Sequence, residues 1–350
     1  MYPSKASCLF LLIVFLSCSK GFDVDTSPKA DFELFFEYLK KDYAYRDYHP
    51  FTMEELRQKY VSQIERSNTK NTLATILLEI QENELKDPHV SILSDEPYDI
   101  SSVPQVIGSD LEKIAPAFAE ITVDITTDFY TSGVVTAQPN IGYLYIRAFN
   151  YDTGGSNSLG IEDGIKEIDT LLQSLIAKKV TAMIVDMRSG AGGSNYVPRY
   201  IAQRFIDKTV TYMVEQYPVG DSFERKEWEI SPSGIGFRDG KVVLISNGLT
   251  ASGGEFFVLA MLQRDQVTHI GSTSMGAAGN ITEKDLSNGW NVQITNSRTE
   301  FADGTQYFKV GITPPTIVKN DLDYGFLHTG DALIQEAVRV LEATGVTNLR

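Results

Sequence analysis

The sequence predicts an α/β fold: a mainly parallel sheet with helices on both faces, preceded by a small helical subdomain. Three observations carry this. Strand-length β-branched runs alternate with helical segments through the second half of the chain. Apolar residues recur at helical spacing in three segments near its start. The 350 residues, 42% hydrophobic and 22% charged, have the length and composition to bury a large core.

In chain order, Lys5 and the run CLFLLIVFLS form the charged start and short apolar core of a secretory signal. The run is too short to span a bilayer as a mature helix. Its end, FLSCSKG, resembles a bacterial lipoprotein cleavage box, which would make Cys18 a lipidated first residue on the cell envelope. A plain signal peptide with a chance cysteine is the alternative. We therefore divide the chain into a leader (1–17), a tether (18–30) and a helical subdomain (31–93). A linking segment with short strands (94–140) and the α/β domain (141–350) follow.

DFELFFEYLKKDYAYRDY, TMEELRQKYVSQI and TLATILLEIQENEL are the three amphipathic helices, ending near Leu85. Thr52 with Glu55 three residues on predicts a capping box. EITVDI and GVVTA are short strands in a segment otherwise without a clear pattern. IGYLYIRAF is a strand, GIEDGIKEIDTLLQSLIAKK a helix, VTAMIVDMR a buried strand and YVPRYIAQRFI a helix. KVVLIS, GEFFVLAMLQ and THIGST continue as strand, helix and strand, and DALIQEAVRVLEA closes the chain as a helix.

Composition excludes several classes of function. With 46 acidic against 31 basic side chains the net charge is −15, and no basic block exists, so nucleic acid is not an expected partner. Both cysteines, Cys8 and Cys18, lie in the first twenty residues, which leaves the folded part no disulfide, thiol nucleophile or cysteine metal site. No metal or organic cofactor is expected.

In sheets of this kind, sites gather at the carboxyl ends of strands. Two glycine corners fall there: DMRSGAGGSN after strand 183–187 and NGLTASGG after strand 242–246. Successive glycines can turn backbone N–H groups toward an anion, although a tight turn explains each corner equally well when taken alone. Neither matches a P-loop or a dinucleotide fingerprint. Ser252 sits on the second corner, where it is either a helix N-cap or an exposed nucleophile. Of four histidines, His49 lies in a turn, His269 inside a strand and His328 in a loop. His89 lies where a helix gives way to a strand.

Six stretches in order, LKDPHVSI, IGYLYIRAF, IVDMRSGAGGSN, LTASGGEFF, IGSTSMGA and ADGTQYFKVGITPP, resemble the tail-specific (C-terminal-processing) serine protease family, closest to its tricorn-core and retinoid-binding-protein-like branch. The resemblance implies a crotonase/ClpP-like sheet with flanking helices. It also implies a serine-type peptidase that acts on peptides or unfolded proteins. Residues 94–140 are too few for the PDZ domain of many members. At matched positions, Ser252 would be the nucleophile and His89 the general base. The Gly253 N–H, with one from Gly192 or Gly193, would form the oxyanion hole. The processing-peptidase lysine is absent, since Ala277 follows GSTSMG, and Phe308 stands where the tricorn branch has a glutamate. Pro315 stands where an aspartate often follows the proline, and Glu255 matches a position that looks structural. The departure at Phe308 keeps a second possibility open, a degenerate member that binds peptides or apolar ligands in the same cleft. An acyl-CoA enzyme on a related sheet is the third, and export from the cytoplasm argues against it.

Overall fold

A computed structural model describes residues 25–93, 120–149, 161–190, 192–193, 196–318 and 330–346. The leader, Cys8, Cys18 and His328 lie outside these residues, as does the segment 94–119.

The chain begins with α1 (Pro28–Asp42), α2 (Met53–Arg66) and α3 (Lys70–Glu79), the three helices expected from their periodicity. Ser27 caps α1 by accepting from the Ala30 N–H at 3.2 Å, with Pro28 in the first turn. The Thr52–Glu55 capping box forms at the start of α2. α3 widens into one π-helical turn, 80–85, which ends at Lys86 in a left-handed conformation (φ 49°). Such turns are rare and frequently lie at functional sites; this one delivers the chain to Asp87 and His89.

Strands β1 (Ser91–Leu93), β2 (Ile121–Thr126), β3 (Tyr130–Val135) and β4 (Gln138–Ile146) follow. After them come α4 (Ile161–Ala177), β5 (Ala182–Asp186), α5 (Tyr196–Ala202), β6 (Val210–Val219) and β7 (Ser222–Ile230). The remaining elements are β8 (Lys241–Ser246), α6 (Gly253–Met261), β9 (Val267–Gly271), β10 (Ile281–Asp285), β11 (Asn291–Thr295), β12 (Arg298–Phe301), β13 (Thr316–Ile317) and α7 (Ala332–Ala343).

The main sheet has the order β13-β9-β8-β5-β4-β3-β2. Pairing is parallel from β13 to β4 and antiparallel beyond, so the expected mainly parallel sheet carries an antiparallel edge. Alternation along its strands separates two cores. Tyr143, Ala182, Ile184, Val243 and Ile245 pack under α7 with Leu333, Ile334, Ala337 and Leu341. Leu144, Met183, Val185, Val242 and Leu244 face the other way, into a core continuous with α4, α5, α6 and the helical subdomain.

Two three-stranded antiparallel sheets, β1-β11-β10 and β12-β6-β7, were not expected from the sequence. Strand β7, SFERKEWEI, is exposed at most positions, so it lacks the apolar alternation that marks a half-buried strand. The first of these sheets places β1, just after His89, against β11; the loop 43–48 packs beside it, with the Ala44 N–H donating to the Thr295 carbonyl at 2.8 Å.

A buried ion cluster fixes α7 to the sheet. Arg188, just beyond β5, binds Asp186 at 2.6 Å and Asp331 at 2.7 Å, with all three side chains at most 2% exposed. Asp331 also caps α7, accepting from the Leu333 and Ile334 N–H groups, and Tyr143 donates to Asp186 at 2.8 Å. Removing one partner from a buried cluster costs far more than the cluster is worth against an apolar replacement. Arg188→Met is therefore expected to destabilise the fold by about 3–5 kcal/mol. Urea denaturation measures this, and a midpoint equal to wild type would show that the two carboxylates find other partners.

Candidate active site

The two glycine corners meet. β5 and β8 are parallel neighbours, with Asp186 opposite Ile245, so the turns that follow them leave the sheet side by side. Three hydrogen bonds tie one corner to the other. Thr250 Oγ1 donates to the Met187 carbonyl at 2.7 Å, the Ser189 N–H to Asn247 Oδ1 at 2.9 Å, and the Ala251 N–H to the Gly190 carbonyl at 3.2 Å.

Ser252 occupies this junction with φ 51° and ψ −118°, a conformation sparsely populated by any residue with a Cβ. Such strain persists only where the surroundings enforce it. The N–H groups of Glu255 and Phe256 go to the Ser252 main-chain carbonyl at 2.8 and 3.1 Å. The serine thus closes the first turn of α6 through its backbone, and its side chain is partly exposed. Gly192 lies against that side chain: a methyl group there would sit 2.6 Å from Ser252 Cβ and 2.9 Å from Oγ. Only glycine permits this approach. A methyl group on Gly253 would in turn sit 3.5 Å from the Gly193 nitrogen. Among the described residues, the N–H groups of Gly253 and Gly193 donate to no acceptor. Two donors without an acceptor therefore belong to the two corners that meet at Ser252.

His89 sits on the segment between the π turn and β1, and is 8% exposed. Its backbone N–H donates to Asp87 Oδ1 at 2.9 Å, and Asp87 Oδ2 accepts from Thr295 Oγ1 at 2.8 Å. The ring Nδ1 is buried without a partner, and no hydrogen bond joins the ring to Ser252 among the described residues. Burial pushes the imidazole below its usual range, against the pull of the Asp87 charge, so the ring is held neutral. His49 and His269 are also pushed down by burial, each to about 4. His269 pairs with Ser246 at 2.8 Å between the neighbouring strands β8 and β9, and His49 with the Tyr43 hydroxyl at 3.2 Å.

Phe308 is buried and stacks face to face on Tyr45, with ring centroids 3.6 Å apart and planes 5° apart. Its neighbour Lys309, at φ 61°, donates from its backbone to the Gly276 carbonyl at 2.9 Å and from its ammonium to the Leu85 carbonyl. The loop after β9 is thereby joined to the segment that carries His89.

Glu255 holds the Ser252 corner and a neighbouring loop together. It is fully buried, its Oε1 accepts from Ser274 Oγ at 2.5 Å and from the Gly276 N–H at 2.7 Å, and its Oε2 accepts from the Ser252 N–H at 3.1 Å. One carboxyl therefore fixes the backbone of Ser252 and the loop 274–276 together. A glutamate three residues after a helix-capping serine was the available sequence signal, and it predicts only a capping box. Among the described residues no group of His, Cys, Asp and Glu is placed to hold a metal ion.

Residues 140–318 match peptidase family S41. The carboxy-terminal processing protease CtpA of Bacillus subtilis (strain 168) is 30% identical over 198 residues, which are 55% of this chain and 38% of that protein. The chain spans 31% to 39% of the lengths of the curated relatives it matches. Among solved structures, a proposed peptidase from Parabacteroides merdae ATCC 43184 superposes with a TM-score of 0.74 at 21% identity, over 91% of this chain and 97% of that one. The photosystem II D1 C-terminal processing protease superposes with a TM-score of 0.55 at 14% identity, over 93% and 100%. These likenesses bear out the expected fold.

Burial pushes the Glu255 carboxyl up to about 7, against its hydrogen bonds from Ser274, Gly276 and Ser252. Between its ordinary 4.5 and about 7 the folded chain keeps a proton that the unfolded chain has lost. The group's stabilisation is thus fully present below 4.5 and is lost as pH rises through about 7. Glu255→Gln, which cannot ionise, is expected to remove this component, roughly 3 kcal/mol at most. Denaturation midpoints of both forms across the window test it; parallel curves would show that Glu255 is ionised throughout.

Proposed function

The chain belongs to peptidase family S41, and on that premise we propose that it hydrolyses peptide bonds through an acyl-enzyme formed on Ser252. The observation that carries this reading is the strained Ser252 backbone at the start of α6, with Gly192 packed against its hydroxyl and the Gly253 and Gly193 N–H groups without an acceptor among the described residues. Ser252 Oγ attacks the scissile carbonyl carbon while His89 takes its proton. The N–H groups of Gly253 and of Gly193 or Gly192 hold the tetrahedral oxyanion. Collapse returns the proton from His89 to the departing amine, and water then releases the acyl group by the same steps. Burial supports the role of His89, because a general base must be neutral at working pH. In resting enzymes the bond between base and nucleophile is often long and tightens only with substrate.

The substrate would be a peptide or an unfolded protein. The leader pattern supports a further part of the proposal, an envelope lipoprotein held by acyl chains on Cys18. No described helix is long and apolar enough to cross a membrane. A second reading, a relative that binds peptides without turning them over, is favoured by one observation: Phe308 fills the glutamate position and is committed to its stack on Tyr45.

A fluorophosphonate probe followed by peptide mass spectrometry is expected to place the adduct on Ser252. Ser252→Ala and His89→Ala should each lower turnover of a mixed peptide pool at least about a thousandfold, with the double variant little worse than either. Ser252→Gly should be equally inactive yet at least as stable as wild type, because glycine relieves a backbone that costs about 1–3 kcal/mol. Turnover surviving in Ser252→Ala, or an adduct elsewhere, would overturn the assignment. A folded wild type that binds peptides but neither labels nor cleaves would establish the second reading. Cys18→Ala is expected to abolish incorporation of a labelled fatty acid in a bacterial host; acylated mutant protein would remove the anchor from the proposal.

A further inference from the structure

Arg199 lies on α5 directly after Pro198, and the Pro198 Cγ is 3.4 Å from where a methyl group on Gly253 would sit. The arginine is thus carried by the element that walls the corner beside Ser252. Its guanidinium carbon is 5.8 Å from the centre of the Trp228 ring, and the Lys226 ammonium is 3.8 Å from the same ring. The indole is pinned by its N–H to Glu215 at 2.5 Å. Glu215 is itself engaged by the Tyr217 hydroxyl and the Asn280 amide, each at 2.5 Å, so its oxygens are occupied.

The other arginines nearby are matched. Arg204 binds Asp169 at 3.0 Å, and Arg188 binds Asp186 and Asp331. Arg199 differs: its Nε is buried and makes no hydrogen bond, and among the described residues no carboxylate forms an ion pair with it. In a chain with 46 acidic against 31 basic side chains, a guanidinium without an ion-pair partner beside a pinned indole is suited to an external anion. β7, which carries Trp228 and Lys226, pairs only with β6 among the described residues, so its outer edge is free to meet an extended peptide.

We propose that Arg199, assisted by Lys226, binds a carboxylate of the substrate peptide, either its C-terminal α-carboxylate or an acidic side chain close to the bond that is cut. The role as a substrate-specificity residue rests on the peptidase reading, whereas binding itself does not require turnover. The test uses the full chain carrying Ser252→Ala and one short fluorescent peptide in three forms: free C-terminus, amidated C-terminus, and amidated with a glutamate added near the end. Anisotropy titrations are expected to show a carboxylate form binding about tenfold more tightly than the plain amide. That advantage should shrink between about 50 mM and about 500 mM salt. Arg199→Gln should abolish it and Arg199→Lys should retain part of it, with folding checked by near-UV circular dichroism. Whichever carboxylate gains the advantage identifies the source. Equal binding of all three forms by the Ser252→Ala protein overturns the proposal without recourse to any arginine variant, as does an advantage undiminished in folded Arg199→Gln. Phosphonate labelling of the wild type, which does not depend on Arg199, separates failure of this proposal from failure of the peptidase reading.

Discussion

Everything at the candidate site depends on how closely two backbone corners approach. Gly192 and Ser252 come together at a separation that a single added methyl group would forbid, and a methyl group on Gly254 would lie 2.5 Å from the Gly190 carbonyl. Such contact is possible only because β5 and β8 are parallel neighbours whose turns leave at the same height. The strained Ser252 backbone follows from it, since the helix behind and the glycine loop in front leave the serine no relaxed conformation. Asn247 and Thr250 then convert proximity into rigidity by bridging the corners with short polar side chains. The main-chain geometry of this junction is thus held by buried side chains as well as by the approach of the two turns.

Burial of charge is the second organising feature, and the fold meets it by saturating each ion with donors or counter-charges. Arg188 is placed between two aspartates, Glu215 collects donors from Tyr217, Trp228 and Asn280, and Glu255 collects them from Ser252, Ser274 and Gly276. Such clusters contribute little net stability over apolar packing, but each imposes one geometry on the elements it joins. Asp331 sets where α7 docks, and Glu255 sets the backbone of Ser252. Glu255 is the most finely balanced, because full burial and its donors act on the carboxyl in opposite directions.

The part of this design that was legible in the sequence was the part written in local pattern. Helical spacing located α1, α2 and α3, and β-branched runs located β4, β5 and β8, because burial on one or both faces leaves a period in the residues themselves. The glycine corners and Ser252 were visible because turn chemistry needs particular residues. The hairpin of β6 and β7 was not, since an exposed edge strand rich in Glu, Arg and Lys carries no period to detect. Nor was the function of Glu255, whose partners at Ser274 and Gly276 are about twenty residues away and meet it only once β9 is in place. Cooperation between Arg188 and Asp331 across 143 residues is equally invisible to local reasoning.

His89 and Ser252 belong to different parts of the chain, and a set of bonds joins those parts. The His89 segment is fixed by Asp87, which takes the His89 N–H and the Thr295 hydroxyl, and by Lys309, which reaches the Leu85 carbonyl while its own N–H binds Gly276. Gly276 also donates to Glu255, which holds Ser252. A continuous chain of hydrogen bonds therefore runs from the backbone of Ser252 to the turn that precedes His89. In that arrangement Phe308 plays a separate, structural role. Stacked on Tyr45, whose hydroxyl accepts the Thr299 N–H at 3.2 Å, it seals the helical subdomain against β12. A carboxylate at the same place would be buried beside two tyrosine rings, with the Lys309 ammonium, 5.0 Å from the Phe308 ring centre, already donating to the Leu85 carbonyl. The segment that carries His89 is thus placed by packing and main-chain bonds, which leave that aromatic seal undisturbed.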